Sequence, residues 1–414
     1  MPAPAADALY DPAEHRRLAG APWSEAAARD AISVIAADAL AAYRGPAELW
    51  PNHPADLDGD EDRPYRGVYL GAAGMAWALH RLAADGLCPA LPGERELTAS
   101  LHADYLAAPE LVELETGTPP PPPSLLFGES GILLALEAID PTGDPAGRRD
   151  ALAAVIAANA HNPTRELCWG SPGTMIAARA MSRATGERRW DELWREGARR
   201  LLDEWTDPVW TQDMYGERRR YVGAGHGFAA NAAVLLDGLE LLGDAGPPTV
   251  ARIAGTAAAL ATRRDELAQW PALADEAVER RPVQWCHGAP GVVVSLRALP
   301  ADPGTDELLA AGAELTWRAG PLRKGVGLCH GTAGNAFALL AAYARTGEAR
   351  WLQRARAFAM DAVVDVAAWC ERHGRGRYTL FTGDVGVALL VHACLRGEAA
   401  FPFVEDALDD TPGG

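Results

Sequence analysis

The feature that most constrains how this 414-residue chain folds is a G-x-x-G element that recurs along it. It stands at Gly71/Gly74, Gly128/Gly131, Gly170/Gly173, Gly288/Gly291, Gly331/Gly334 and Gly383/Gly386, with a degenerate copy at Gly227/Ala230. Successive first glycines lie 57, 42, 57, 61, 43 and 52 residues apart, enough for two helices and two loops per unit. Periods of this size mark repeat arrays. After each element the sequence is small and apolar, as in Asn335-Ala336-Phe337-Ala338-Leu339-Leu340, and a helix that is apolar all round is buried all round. A breaker then leads into an amphipathic helix. Thr185-Gly186-Glu187 opens one with Trp190, Trp194, Ala198 and Leu201 at helical spacing, and Thr346-Gly347-Glu348 opens another with Trp351, Leu352, Ala355 and Phe358. Inner apolar helices alternating with outer amphipathic ones close most economically as a ring of seven hairpins. The predicted fold class is therefore all-α, an (α/α)7 toroid. Its glycines sit where loops enter the inner helices at one end, where close backbone approach and positive φ are needed. The helix N-termini gathered there favour thiolates and anions.

The formal charge of −18 argues against nucleic acid and against an anionic membrane as partners, since both need a basic face. No basic n-region precedes an apolar core near Met1, so no secretory signal is readable, and apolar runs such as 386–394 are too short to span a bilayer. Six cysteines scattered over such a chain do not form a disulfide framework. These observations predict a cytoplasmic protein with reduced thiols, in which Cys88, Cys370 and Cys394 act as small hydrophobes. Residues 1–64 read as a helical segment leading into a ring at 65–414, one domain overall. Pro119 to Pro123 read as a stiff connector before the second repeat.

The chemistry-bearing residues lie in two near-identical motifs, Trp285-Cys286-His287-Gly288-Ala289-Pro290-Gly291 and Gly327-Leu328-Cys329-His330-Gly331-Thr332-Ala333-Gly334. Cys286 and Cys329 each stand two residues before the first glycine, so ring symmetry puts them at equivalent places on neighbouring hairpins. His330 adds an imidazole from the loop of Cys329. Three soft donors without a fourth match a zinc site with an open position rather than a closed structural one. His287 would close the metal to substrate if it were a fourth ligand, and reads as a supporting residue or a proton donor. His226, at the rim of the fourth repeat, is an acid/base candidate, and Glu166, four residues before Gly170, could point into the same cavity. Lys324 is the chain's only lysine and lies five residues before Cys329; it could hold a substrate carboxylate or phosphate. Arg281, five before Cys286, is a weaker candidate of the same kind.

Trp285-Cys286-His287-Gly288-Ala289-Pro290-Gly291 together with Lys324-Gly325-Val326-Gly327-Leu328-Cys329-His330-Gly331-Thr332-Ala333-Gly334-Asn335 resembles the lanthionine synthetase C-like family, most closely its branch with eukaryotic glutathione-binding members. The resemblance extends through Gly67-Val68-Tyr69-Leu70-Gly71, Ser124-Leu125-Leu126-Phe127-Gly128 and Glu166-Leu167-Cys168-Trp169-Gly170, covering roughly residues 65 to 395. It implies an α-toroid with one Zn2+ held by Cys286, Cys329 and His330, His226 as acid/base and Glu166 as an acidic catalytic residue. Two positions depart from the pattern. Ala230 replaces a usual glycine, and His287 stands where cyclases of the lantibiotic type more often carry Tyr, a departure shared with the glutathione-binding branch. The implied chemistry is Michael addition of a thiol, from a peptide cysteine or glutathione, to dehydroalanine or dehydrobutyrine. Its product is a thioether, a lanthionine if both groups belong to one peptide. The substrate would be a dehydrated peptide or protein, and with no kinase-like or dehydratase-like segment in the chain, a separate dehydratase, kinase or lyase would have to supply it. A non-catalytic zinc protein that binds glutathione or a peptide is the alternative. A glycosidase on a related toroid would want two rim carboxylates and no metal.

Overall fold

A computed structural model describes residues 9–56, 63–110, 122–275 and 281–408. Pro119 to Pro121 of the proline connector lie outside the described residues. Seven inner helices follow the repeat: Ala72–Ala84, Glu129–Ile139, Ser171–Thr185, Phe228–Asp237, Ala289–Leu296, Thr332–Thr346 and Asp384–Arg396. Each begins on the residue after the first glycine of its G-x-x-G. All are apolar nearly throughout, and Thr332 to Ala342 is buried without a break. Outside them run Glu25–Ala42, Glu94–Ala107, Pro145–Asn159, Arg188–Asp203, Gly246–Leu260, Pro303–Ala319 and Ala349–His373. These bury one stripe only. In Arg188–Asp203 the stripe is Trp190, Trp194, Gly197, Ala198 and Leu201. Three outer helices end against a downstream tryptophan whose indole N–H satisfies a last-turn carbonyl: Trp50 on Ala39 (2.7 Å), Trp210 on Leu201 (2.6 Å) and Trp270 on Ala257 (2.8 Å).

The all-α toroid expected from the repeat is what forms, with two small additions. Antiparallel hairpins at Gln212–Met214 with Glu217–Arg219, and Thr262–Arg264 with Leu267–Gln269, lead from outer helices back to the rim. Among the described residues, no helix is long and apolar enough to cross a membrane.

The repeated glycines owe their place to steric contact. A Cβ on the second glycine would lie 2.0 Å from the Val68 carbonyl oxygen at Gly74, 1.8 Å from that of Trp285 at Gly291 and 1.8 Å from that of Leu328 at Gly334. The loop before each inner helix thus folds flat onto the first helical turn. Positive φ, expected at these glycines, occurs among the first glycines only at Gly288 (+103°); the others are extended and are glycines because a Cβ would strike the incoming loop.

These loops are laced into a belt around the rim. Two residues before five of the seven first glycines the backbone N–H reaches the same position of the next hairpin: Tyr69 to Leu126 (2.9 Å), Gly225 to Cys286 (3.2 Å), Cys286 to Cys329 (3.1 Å), Cys329 to Phe381 (2.9 Å) and Phe381 back to Tyr69 (3.2 Å). Side chains complete the circuit, Ser124 Oγ donating to the Cys168 carbonyl (2.6 Å) and Cys168 Sγ to that of Gly225 (3.3 Å). The seam is also covered from outside, because helix Glu25–Ala42 packs on the last inner helix, Asp384–Arg396. The segment 399–408 turns back among the inner helices, with Phe401 stacked on Trp285 at 4.4 Å and the Trp77 indole bonded to the Ala407 carbonyl (2.9 Å).

Candidate metal centre and acid-base pair

Cys286, Cys329 and His330 are delivered by two adjacent links of the belt, and one ligand atom from each lies within 4.8 Å of the others. Both cysteines are buried and free. The hydrogen bond from Cys286, strengthened by His330 and by the Tyr69 hydroxyl, holds the Cys329 thiol well below its usual range despite burial. The first proton of the thiol pair is therefore given up readily. Gln284 Nε2 donates to Cys286 Sγ at 3.0 Å, fixing the second sulfur. Two close thiols, one already stabilised as thiolate, and an imidazole beside them make a donor set that suits zinc.

Glu166 and His226 stand on the third and fourth loops. The Glu166 side chain is fully buried. Its carboxylate accepts the backbone N–H groups of Cys168 (2.9 Å), Trp169 and Gly170 (3.2 Å), and Nδ1 of His226 lies 2.8 Å from Oε2. Desolvation opposes the charged imidazole, but the bond to Glu166 and its charge prevail, so the His226 pKa is raised. A buried carboxylate that orients and charges an imidazole is the arrangement of a general acid/base.

His287 stands next to His226, ring centroids 5.9 Å apart, and Tyr221 lies 5.8 and 5.7 Å from the two rings. Burial, then the neighbouring His226, lowers the His287 pKa to about 4. Its Nδ1 has no hydrogen-bond partner among the described residues. Lys324 is exposed at the mouth, its charge felt by Cys286 and His287, and no described carboxylate pairs with it. Arg281 is half-buried beside the undescribed 276–280; its carbonyl accepts from Gln269 (3.4 Å), and no described contact brings its guanidinium to the thiols.

The structure thus gathers six of the eight residues expected from the sequence, leaves Lys324 at the entrance, and does not draw in Arg281. It adds Tyr69, Gln284, Cys168 and the hairpin tyrosines Tyr215 and Tyr221. Tyr69 is stacked on Phe381 at 5.0 Å with Phe127 tilted against it at 4.8 Å, and Tyr215 accepts the Trp169 indole N–H at 2.8 Å. The repeat itself carried a signal for two of these, since Tyr69 and Cys168 occupy the same position, two before the first glycine, as Cys286 and Cys329.

A closed α/α toroid with a two-thiol, one-imidazole centre beside a buried carboxylate–imidazole pair defines the class of protein. The chain belongs to the lanthionine synthetase C-like family, whose model matches residues 101–405, more than half its length. Among curated relatives it is 36% identical over 135 residues to glutathione S-transferase LANCL1 of Danio rerio, and 34% identical over 116 residues to LanC-like protein GCL1 of Arabidopsis thaliana. The matched stretches span 31% and 26% of those proteins and 30% and 26% of this chain. Among solved structures, nisin cyclase superposes with a TM-score of 0.63 at 14% identity, over 86% of this chain and 95% of that one, a likeness of fold.

Proposed function

We propose that this protein adds thiols to dehydroalanine or dehydrobutyrine residues, using a zinc ion held by Cys286, Cys329 and His330. The observation that carries this reading is the juxtaposition of that donor set with the Glu166–His226 pair at one mouth of the ring. A zinc ion there would leave a position for a substrate thiol and keep that thiol deprotonated near neutral pH. The remaining work falls to the chain. The new S–Cβ bond forms as the Cα=Cβ π bond opens, and the Cα carbanion takes a proton from His226, whose charged form Glu166 stabilises. The thiol's proton leaves and Cα gains one, so the addition balances without oxidant or leaving group. His287, neutral at working pH and flanking His226, shapes the wall of the site. Lys324 at the entrance meets a carboxylate of the thiol donor.

Two thiol sources suit this chemistry, a cysteine of the same peptide and free glutathione, and the relative named as a glutathione S-transferase makes the second worth testing directly. The dehydrated peptide or protein would come from a separate dehydratase or kinase–lyase in the cytoplasm, where the six free cysteines stay reduced. A zinc-containing glutathione- or peptide-binding protein without turnover is the competing reading. The experiment that separates them is incubation of purified protein with glutathione and a dehydroalanine peptide, following the thioether by mass spectrometry. His226→Ala should keep the zinc at Cys286, Cys329 and His330 and lose roughly 10²-fold or more in rate, whereas His330→Ala should lose both. Glutathione binding without product at any enzyme concentration would leave the binding-protein reading in its place.

A further inference from the structure

We propose that Glu166, Cys168 and His226 form a second site for a soft divalent cation, distinct from the centre at Cys286, Cys329 and His330. A carboxylate oxygen, a sulfur and a ring nitrogen from these residues lie within 4.8 Å of one another. Cys168 stands in the third hairpin where the two ligand thiols stand in the fifth and sixth, so its sulfur enters the rim from an equivalent link of the belt. Glu166 and Cys168 are buried, and the His226 side chain is 21% exposed, which leaves one side open for an ion to enter.

The spacing fits an ion. Nδ1 of His226 and Oε2 of Glu166 are 2.8 Å apart, and two donors at tetrahedral zinc distances sit roughly 3.3 Å apart. A sub-ångström opening therefore turns the hydrogen-bonded pair into two ligands. Charge also balances: a thiolate and a carboxylate offset a divalent cation, the same sum as at the first centre, so no net charge is buried. The backbone N–H groups of Trp169 and Gly170 already orient the carboxylate, as supporting hydrogen bonds do around metal ligands. The Cys168 thiol donates to the Gly225 carbonyl at 3.3 Å and also meets Glu166; burial and that carboxylate raise its pKa, a cost that the charge of a bound cation would offset. A sulfur and an imidazole select zinc or cadmium over magnesium or calcium. Binding displaces the Cys168 proton and the proton shared by Glu166 and His226, and nothing is oxidised. Such an ion occupies the atoms that hold the proton at His226, so metal and proton exclude each other there.

The test is cadmium(II) titration of the zinc-loaded protein, reading bound metal after gel filtration and the thiolate-to-cadmium charge-transfer absorbance. Wild type should bind a second equivalent with a rise in that absorbance, and Cys168→Ser should stop at one equivalent without it. A wild-type protein that stops at one overturns the proposal, whatever the variant does. So does a Cys168→Ser protein that still takes two, which would place the extra ion at surface groups. Neither readout uses turnover, so the outcome is independent of the thiol-addition reading.

Discussion

Three backbone N–H groups and one imidazole surround the Glu166 carboxylate, and among the described residues no arginine or lysine is paired with it. Glu166→Gln removes the charge that holds the His226 proton. The His226 midpoint, followed by histidine NMR signals against pH, should fall in this variant. The linkage has a definite sign. A raised folded-state pKa makes the pair stabilising below the ordinary histidine range, and that contribution disappears as pH rises through the raised value. Urea unfolding of wild type and Glu166→Gln should accordingly differ most on the acid side of neutrality and converge on the alkaline side. At the entrance, Lys324→Ala should weaken glutathione roughly tenfold by calorimetry, the scale of one charge-assisted hydrogen bond, and leave zinc content unchanged. Equal affinities would assign the thiol to a peptide cysteine instead. The candidate metal ligands were legible in the sequence because cysteine and histidine are rare and recur in register. Tyr69 was legible only through its register with the two cysteines, and Gln284 not at all, since a glutamine in a loop says nothing until folding brings it to the sulfur.

At the scale of elements, each inner helix is coupled to the loop that precedes it through a contact only glycine permits. Gly334→Ala would set a methyl 1.8 Å from the Leu328 carbonyl, and that loop carries Cys329 and His330. The expected result is a loss of about 1–3 kcal/mol by thermal or urea unfolding together with reduced zinc retention. Gly325→Ala is the control, because a Cβ there meets nothing within 4 Å, and both readings should stay at wild-type values. The repeat period disclosed the hairpins correctly for the same reason that this pair should differ: the glycine spacing records a loop-on-helix contact. What it did not disclose is Gln212–Met214 and its partner strand, a hairpin too short to leave a periodic pattern, although it brings Tyr215 and Tyr221 to the rim.

Taken as a whole molecule, the ring has a seam at which chain order and spatial order part. Helix Glu25–Ala42 belongs by sequence to the N-terminal segment, but it buries Ile32 and Ile35 against the last inner helix and serves the seventh hairpin as its outer layer. No local pattern announces such a pairing. We propose that residues 1–64 and the ring form one cooperative unit. Ile32→Ala should then lower the stability of the entire protein by about 2–5 kcal/mol, seen in calorimetry as a single shifted transition; a separate early transition would make the first helix an independent unit. The same seam governs the order of events during synthesis. The face of Glu25–Ala42 leaves the ribosome roughly 340 residues ahead of the helix that covers it, a wait of about twenty seconds to a minute at ordinary elongation rates. Throughout that interval Ile32 and Ile35 lack the helix that covers them, and Cys286 and Cys329, though made before that helix, still lack the Phe381 link that ties their loops to Tyr69. A nascent chain stalled before its seventh hairpin is therefore an open arc with a sticky edge, and the moment of closure is also the moment at which the belt behind the two thiols becomes complete.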